Sequence, residues 1–316
     1  MKITILDGHA LNPGDLSWDQ FREFGDIRYY DRTEGEALTV QRIGDSDIVF
    51  LNKVPLTKSV LEQCPNIKLI CVLATGYNVV DCQAAAAQGI PVCNVPGYGT
   101  DAVAQFTFAL LLELCHRVGL HSDSVHAGDW SSCPDFCYWK TPQMELAGKT
   151  MGIIGYGAIG QAVGNIARAF GMRVLAYSRT HYPEHSYVDL DTLLAQSAVI
   201  SLHCPLFPEN TGLINSEAIA KMKDGAILLN TARGALIDEQ AITDALNTGK
   251  LRGFAADVAC AEPISAGSPL LSAPNCILTP HMAWAPIESR QRILDATEQN
   301  IRGFLNGTPI NVVNMP

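Results

Sequence analysis

KTMGIIGYGAIGQAVGNIARAFGMRVLAYSRT, residues 149–180, decides the fold. The apolar run Met151 to Ile154 predicts a strand, and Gly155, Gly157 and Gly160 then give G-x-G-x-x-G. Residues 158–170 carry helical periodicity, and 173–177 read as the next strand. Each glycine answers a physical need: Gly155 permits the tight turn, Gly157 lets the backbone approach a pyrophosphate, and Gly160 lets the helix lie close on the strand. The first helical residues, Ala158 and Ile159, bring free N–H groups and the positive helix end to the phosphates. A glycine turn can serve packing alone, but strand, turn, helix and strand in this order point to a bound dinucleotide.

The second strand ends on Ser178, Arg179 and Thr180. An Asp or Glu at this place accepts hydrogen bonds from the adenosine ribose and repels a 2′-phosphate. Here two hydroxyls and a planar cationic fork stand instead, a set suited to the phosphate of NADP. If Arg179 is only a solvated loop charge, the site takes NAD or NADP alike; with Arg179 at the phosphate, NADPH is the favoured cofactor.

The wider chain agrees with such a domain. Its 316 residues suit two domains, 47% of them are hydrophobic, and the net charge of −10 offers nothing to a phosphate backbone or an anionic membrane. Nucleic acid and membrane are therefore not expected partners. The start MKITILDG lacks the long apolar region of a secretory signal, and ten scattered cysteines, several inside strand-like runs, read as buried hydrophobes of a reducing compartment. A cytoplasmic location is expected. Cys133 and Cys137 in CPDFC lack a second ligand pair, so they read as loop cysteines and no metal site is expected.

Strand-like and helical runs alternate throughout, the pattern of a parallel sheet. KITIL, IRYY, DIVFL, KLICVL and IPVCNV are the expected strands of a first layer, with a helix over residues 81–88. A hinge is placed near residues 98–101, where Asp101 would cap a helix apolar almost all round. Residues 121–149 show neither period and are expected to wrap the surface.

Further strands end on chemistry. After AVISL comes HCPLFPENTGLIN, whose His203, Cys204, Pro205 and Thr211 border the crevice expected at the carboxyl ends of a parallel sheet. AILLN delivers Thr231, Ala232 and Arg233; the strand expected over 253–257 delivers Asp257 and a loop with Glu262; CILTPHMAWAP delivers His281, Ala283 and Trp284. An isolated Arg, Glu or His is more often structural. Three strand ends that present a cation, a carboxylate and an imidazole make a set that points to catalysis.

GYGAIG, NTARGALID, DVACAEP and TPHMAWA, with ATGYNVVD before them, resemble in order the D-isomer-specific 2-hydroxyacid dehydrogenase family. The resemblance covers essentially the whole chain. It implies an α/β fold of two Rossmann-like domains, with a cofactor domain over 99–287 inserted into a discontinuous substrate (lid) domain of residues 1–98 and 288–316. It implies that Arg233 binds the substrate carboxylate and polarises the keto oxygen, and that His281 protonates that oxygen as acid/base. Glu262 would hydrogen-bond the imidazole and favour its charged form. The backbone at Ala74, Thr75 and Gly76 would be a second carboxylate contact, and Asp257 would hold the nicotinamide carboxamide. Cofactor contacts are expected from the glycine turn, Ser178 to Thr180, His203, Cys204, Pro205, Thr211, Thr231, Ala232, Arg233, Asp257, His281 and Ala283.

Trp284 resembles the glycerate dehydrogenase and hydroxypyruvate reductase branch of that family, so hydroxypyruvate or glyoxylate is the expected substrate. D-Lactate or another 2-keto acid chemistry is the alternative, and a dinucleotide-sensing, corepressor-like binding protein is the alternative of another class. Ala259 and Cys260 depart from the bulkier residues of relatives. A homodimer built on the helix after Thr100 is the assembly that the resemblance implies.

Overall fold

A computed structural model of the chain describes residues 1–181 and 187–315. The chain divides into two compact units, Met1–Gly99 with Ala285–Pro316, and Thr100–Trp284.

The first unit holds β1 (Lys2–Ile5), β2 (Asp26–Tyr29), α1 (Glu36–Ile43), β3 (Ile48–Leu51), α2 (Lys58–Gln63), β4 (Leu69–Val72), α3 (Cys82–Ala87) and β5 (Val92–Cys93). Its sheet is parallel in the order β2-β1-β3-β4-β5. IVFL and LICV of β3 and β4 are buried at every position. That is why they read as unbroken apolar runs, since strands covered on both faces need no alternation. Thr57 and Asp81 cap α2 and α3 by accepting the N–H of Val60 and Ala84 at 3.3 and 2.9 Å. The C-terminal helix, Ile287–Leu305, belongs to this unit, where Arg290 grips Asp15 at 2.7 and 2.6 Å.

The second unit opens with α4 (Thr100–His116) and α5 (Val118–His126) and continues with β6 (Thr150–Ile154), α6 (Ala158–Ala169), β7 (Arg173–Tyr177) and α7 (Leu190–Gln196). Then follow β8 (Val199–Leu202), α8 (Ser216–Lys221), β9 (Ala226–Asn230), α9 (Glu239–Asn247), β10 (Leu251–Ala256) and β11 (Cys276–Leu278). All six strands are parallel, in the order β11-β10-β9-β8-β6-β7. The order reverses between β6 and β8, and such a switch point opens a crevice at the carboxyl ends of the strands. Burial of β6, β8 and β9 at every position supplies the rigid floor.

Three local expectations need correction. Asp101 lies inside the first turn of α4, which starts at Thr100, so its carboxylate faces the positive helix end rather than capping it. Residues 121–126 are helical, as the second half of α5; Arg117, left-handed at φ 49°, ends α4 and starts α5. Val118, Leu120 and Val125 on that helix are exposed, so no apolar stripe marked it. The strand expected over 253–257 begins earlier, at Leu251, and ends at Ala256.

Candidate active site

The crevice between β6 and β8 is a cleft of about 640 Å³ lined by the glycine turn, the end of β7 and the loop after β8. Gly155 makes it possible. Its φ is +93°, and a Cβ there would sit 2.4 Å from the amide nitrogen of Cys204. A Cβ on Gly160 would fall 2.2 Å from the carbonyl oxygen of Gly155, so this glycine lets α6 dock on the turn. A Cβ on Gly157 would meet no protein atom within 4 Å. Gly155 and Gly160 are thus required by packing, whereas Gly157 keeps backbone open toward the cleft at the start of α6. The open amides, the helix end and the shape fit a dinucleotide pyrophosphate.

Ser178, Arg179 and Thr180 line the same cleft, with Arg179 stacked 4.3 Å from the centre of the Phe207 ring. Glu209, from the loop after β8, is the one carboxylate lining it among the described residues. His203 accepts or donates one bond with Ser201 Oγ at 2.8 Å. Enclosure of its ring pushes the imidazole down to about 3, so it stays neutral and adds no charge to the cleft.

At the other end of the sheet, β9, β10 and β11 lie side by side in register, Asn230 beside Ala256 and Ala256 beside Leu278. Arg233, Glu262 and His281 follow these strand ends. Buried Asn230 shapes the Arg233 turn: its Oδ1 accepts Ala232 N–H at 3.1 Å and its Nδ2 donates to the Arg233 carbonyl at 2.9 Å. Arg233 is exposed, and its guanidinium donates only to the Ala232 carbonyl, at 2.7 Å, among the described residues. The Arg233 turn touches the Glu262 loop, since a Cβ on Gly234 would come within 2.0 Å of Ala259.

His281 Nδ1 meets Glu262 Oε2 at 2.7 Å, which leaves Nε2 as the ring nitrogen able to exchange a proton. The backbone of His281 is left-handed, at φ 53°, a state that costs a non-glycine residue about 1–3 kcal/mol and persists only when neighbours enforce it. Buried Asp257 enforces it by accepting Thr279 Oγ1 at 2.6 Å and the N–H groups of Met282 and Ala283 at 2.9 and 2.7 Å. Trp284 adds an indole N–H to the His281 carbonyl at 2.9 Å. An arginine beside a carboxylate–imidazole pair can hold an anionic substrate and protonate an oxygen next to its carboxylate.

Comparison with known proteins then decides the family. Residues 108–283 match the family model described as D-isomer specific 2-hydroxyacid dehydrogenase, NAD binding domain. The chain belongs to the D-isomer-specific 2-hydroxyacid dehydrogenase family. A protein named hydroxypyruvate reductase, from Blautia hydrogenotrophica, is 56% identical over 99% of this chain and 100% of its own. A glycerate dehydrogenase from Methylorubrum extorquens is 41% identical over 99% and 98%. Among solved structures, an acyclic imino acid reductase in complex with NADPH and D-Arg is 30% identical, with a TM-score of 0.86 over 99% of this chain and 100% of that one.

As a member of this dehydrogenase family, the chain is an oxidoreductase of 2-hydroxy acids with a dinucleotide-binding domain. Of the residues expected at the cofactor, Gly155, Gly157, Ser178, Arg179, Thr180, His203, Cys204 and Pro205 line the cleft. Gly160, Ala158, Ile159, Thr231, Ala232, Asp257, His281 and Ala283 are outside that lining. Thr211 is outside it too, because its hydroxyl turns back to the Phe207 carbonyl at 3.2 Å. Thr231 is held by Thr107 of α4, hydroxyl to hydroxyl at 3.0 Å. In the first unit, the amides of Ala74, Thr75 and Gly76 donate to no described residue, while Asn94 and Val95 hold the turn through the carbonyls of Thr75 and Ala74 at 2.7 and 3.0 Å. Sequence reasoning missed Asn230, Phe207 and Glu209. Asn230 closes an apolar strand and could have been noticed as a polar residue inside a buried run; nothing local marked the others.

Proposed function

We propose that the enzyme reduces hydroxypyruvate and glyoxylate to D-glycerate and glycolate, with NADPH preferred over NADH. The observation that carries the reaction is the 2.7 Å contact of Glu262 with His281 at the strand end beside that of Arg233. The bound cofactor supplies the hydride. Arg233 binds the substrate carboxylate and polarises the keto oxygen. His281 gives its Nε2 proton to the oxygen, while Glu262 keeps Nδ1 engaged and the ring oriented. Trp284, which braces His281, and the names of the relatives support hydroxypyruvate as substrate.

For the cofactor, the support is Arg179, seated over the Phe207 ring between Ser178 and Thr180 at a strand end without a carboxylate. Initial rates with hydroxypyruvate, glyoxylate, pyruvate and 2-oxoglutarate, each with NADH and NADPH, test both parts. Hydroxypyruvate with NADPH is expected to give the highest kcat/KM. Arg179→Ala is expected to raise the KM for NADPH by roughly ten- to a hundredfold, the worth of a charged hydrogen bond, and to leave NADH nearly unaffected. Equal effects on both cofactors would make Arg179 a plain surface charge. Turnover of none of the acids would put a binding protein in place of the enzyme.

The same reading includes a homodimer. Val118, Leu120 and Val125 of α5, the helix that follows α4, and Trp130, Phe136 and Trp139 after it are all exposed, and exposed apolar side chains of this size support a partner copy there. Light scattering that gives a monomer mass would overturn it. The ten free cysteines support a cytoplasmic location, which cell fractionation checks.

A further inference from the structure

Glu262 does not sit on a helix or strand. It belongs to the exposed, irregular segment 259–268, and a side chain on such a segment holds its aim only as well as the segment is tied down. Both ends of that segment are tied to one group. Glu239 Oε1 accepts the N–H of Cys260 at 3.1 Å, and its Oε2 accepts the hydroxyl of Ser268 at 2.6 Å. Glu239 is the first residue of α9, whose start is fixed by Asp238, which accepts the N–H groups of Gln240 and Ala241 at 3.0 and 3.1 Å. The anchor is therefore part of a helix packed in the core, and the loop hangs from it. Between the two ties, Glu262 Oε1 accepts the Ala259 N–H at 3.2 Å while Oε2 reaches His281.

We propose that Glu239 is a positioning residue for the reduction: its single carboxylate clamps both ends of the loop and so keeps Glu262 on His281. The inference rests on the reading of Glu262 and His281 as the acid couple. Charged acceptors make the stronger hydrogen bonds, which suits a carboxylate to this double duty. The clamp also leaves a mark on a neighbour. The Cys260 thiol is pushed up to about 11, by burial first and then by the hydrogen bond and charge of Glu239, so it reports on whether the carboxylate is in place.

The test uses the whole enzyme with Glu239→Ala, Glu239→Gln and Ser268→Ala, the first also in a Glu262→Gln background. Alanine is a good helix former, so α9 is retained, and circular dichroism checks it. Glu239→Ala is expected to lower kcat by roughly ten- to a hundredfold, as misplacement of a catalytic group does, with the KM for the keto acid little changed. Glu239→Gln keeps an acceptor for the Cys260 N–H and is expected to retain most of the rate, with Ser268→Ala between the two. With Glu262→Gln already present, Glu239→Ala should add little, because the group that it positions is gone. Alkylation of Cys260, followed by peptide mass spectrometry, should be severalfold faster in Glu239→Ala. Wild-type kcat in Glu239→Ala, or the same loss in both backgrounds, would overturn the clamp. If Glu262→Gln itself leaves kcat unchanged, the acid couple fails instead, and hydrogen–deuterium exchange of residues 259–268 decides whether Glu239 holds the loop: faster exchange in Glu239→Ala upholds the clamp, and an unchanged rate removes it.

Discussion

His281→Ala is expected to lower kcat for keto-acid reduction by about 10²–10⁴-fold, the usual worth of a positioned general acid. The cofactor should bind that variant almost as the wild type does. Among the described residues, the cleft between β6 and β8 is lined by the glycine turn, the end of β7 and the loop after β8, and His281 is not part of it. What the substitution removes is the Nε2 proton donor and the partner of Glu262, not a wall of the cleft. Parallel measurement of kcat and of dinucleotide affinity, by quenching of tryptophan fluorescence, separates the two. A variant that keeps near wild-type turnover would show that another group supplies the proton.

Arg233→Ala has the second large effect. Its guanidinium spends one N–H on the Ala232 carbonyl and has the rest of its fork to offer, so a substrate carboxylate can be held by more than one charge-assisted bond. Loss of that fork should raise the KM for the keto acid by roughly ten- to a thousandfold, at about 1.5–3 kcal/mol for each charged hydrogen bond. kcat should fall as well, because the same cation polarises the keto oxygen. Arg233→Lys should recover only part of the loss, since an ammonium cannot reproduce the planar fork. An unchanged KM in Arg233→Ala would mean that another cation binds the carboxylate.

Much of this was legible in the sequence where one residue type answers one physical need. The glycine turn is the clearest case: only glycine takes φ +93° beside the Cys204 amide at Gly155, and only glycine lets α6 approach the turn at Gly160. The central strands β3, β4, β6, β8 and β9 were legible because burial at every position leaves nearly unbroken apolar runs. Arg233, Glu262 and His281 could be picked out because each follows a strand-like, mostly apolar run.

What escaped the reading depends on contacts between distant segments. Glu239 looks like an ordinary first-turn acid of α9, and only the fold brings Cys260 and Ser268 to it. Phe207 gives no hint in sequence that it lies under Arg179. The helix α5 was missed because its apolar residues face outward, where periodicity carries no core signal. Asp257 shows another limit: in sequence it is a strand-end acid expected at the nicotinamide, whereas its oxygens accept three bonds from the segment that holds His281. A carboxylate has further acceptor capacity, so the two roles are compatible.

Three strand ends that act together on one bound keto acid should reduce it stereospecifically. The most direct measurement is chiral analysis of the product after hydroxypyruvate is incubated with the purified enzyme and NADPH, set against the NADPH consumed. D-Glycerate is expected in equal amount to the NADPH oxidised, and His281→Ala should form it at least a hundredfold more slowly. Formation of L-glycerate, or no oxidation of NADPH or NADH by any 2-keto acid while the dinucleotide still binds, would contradict that expectation.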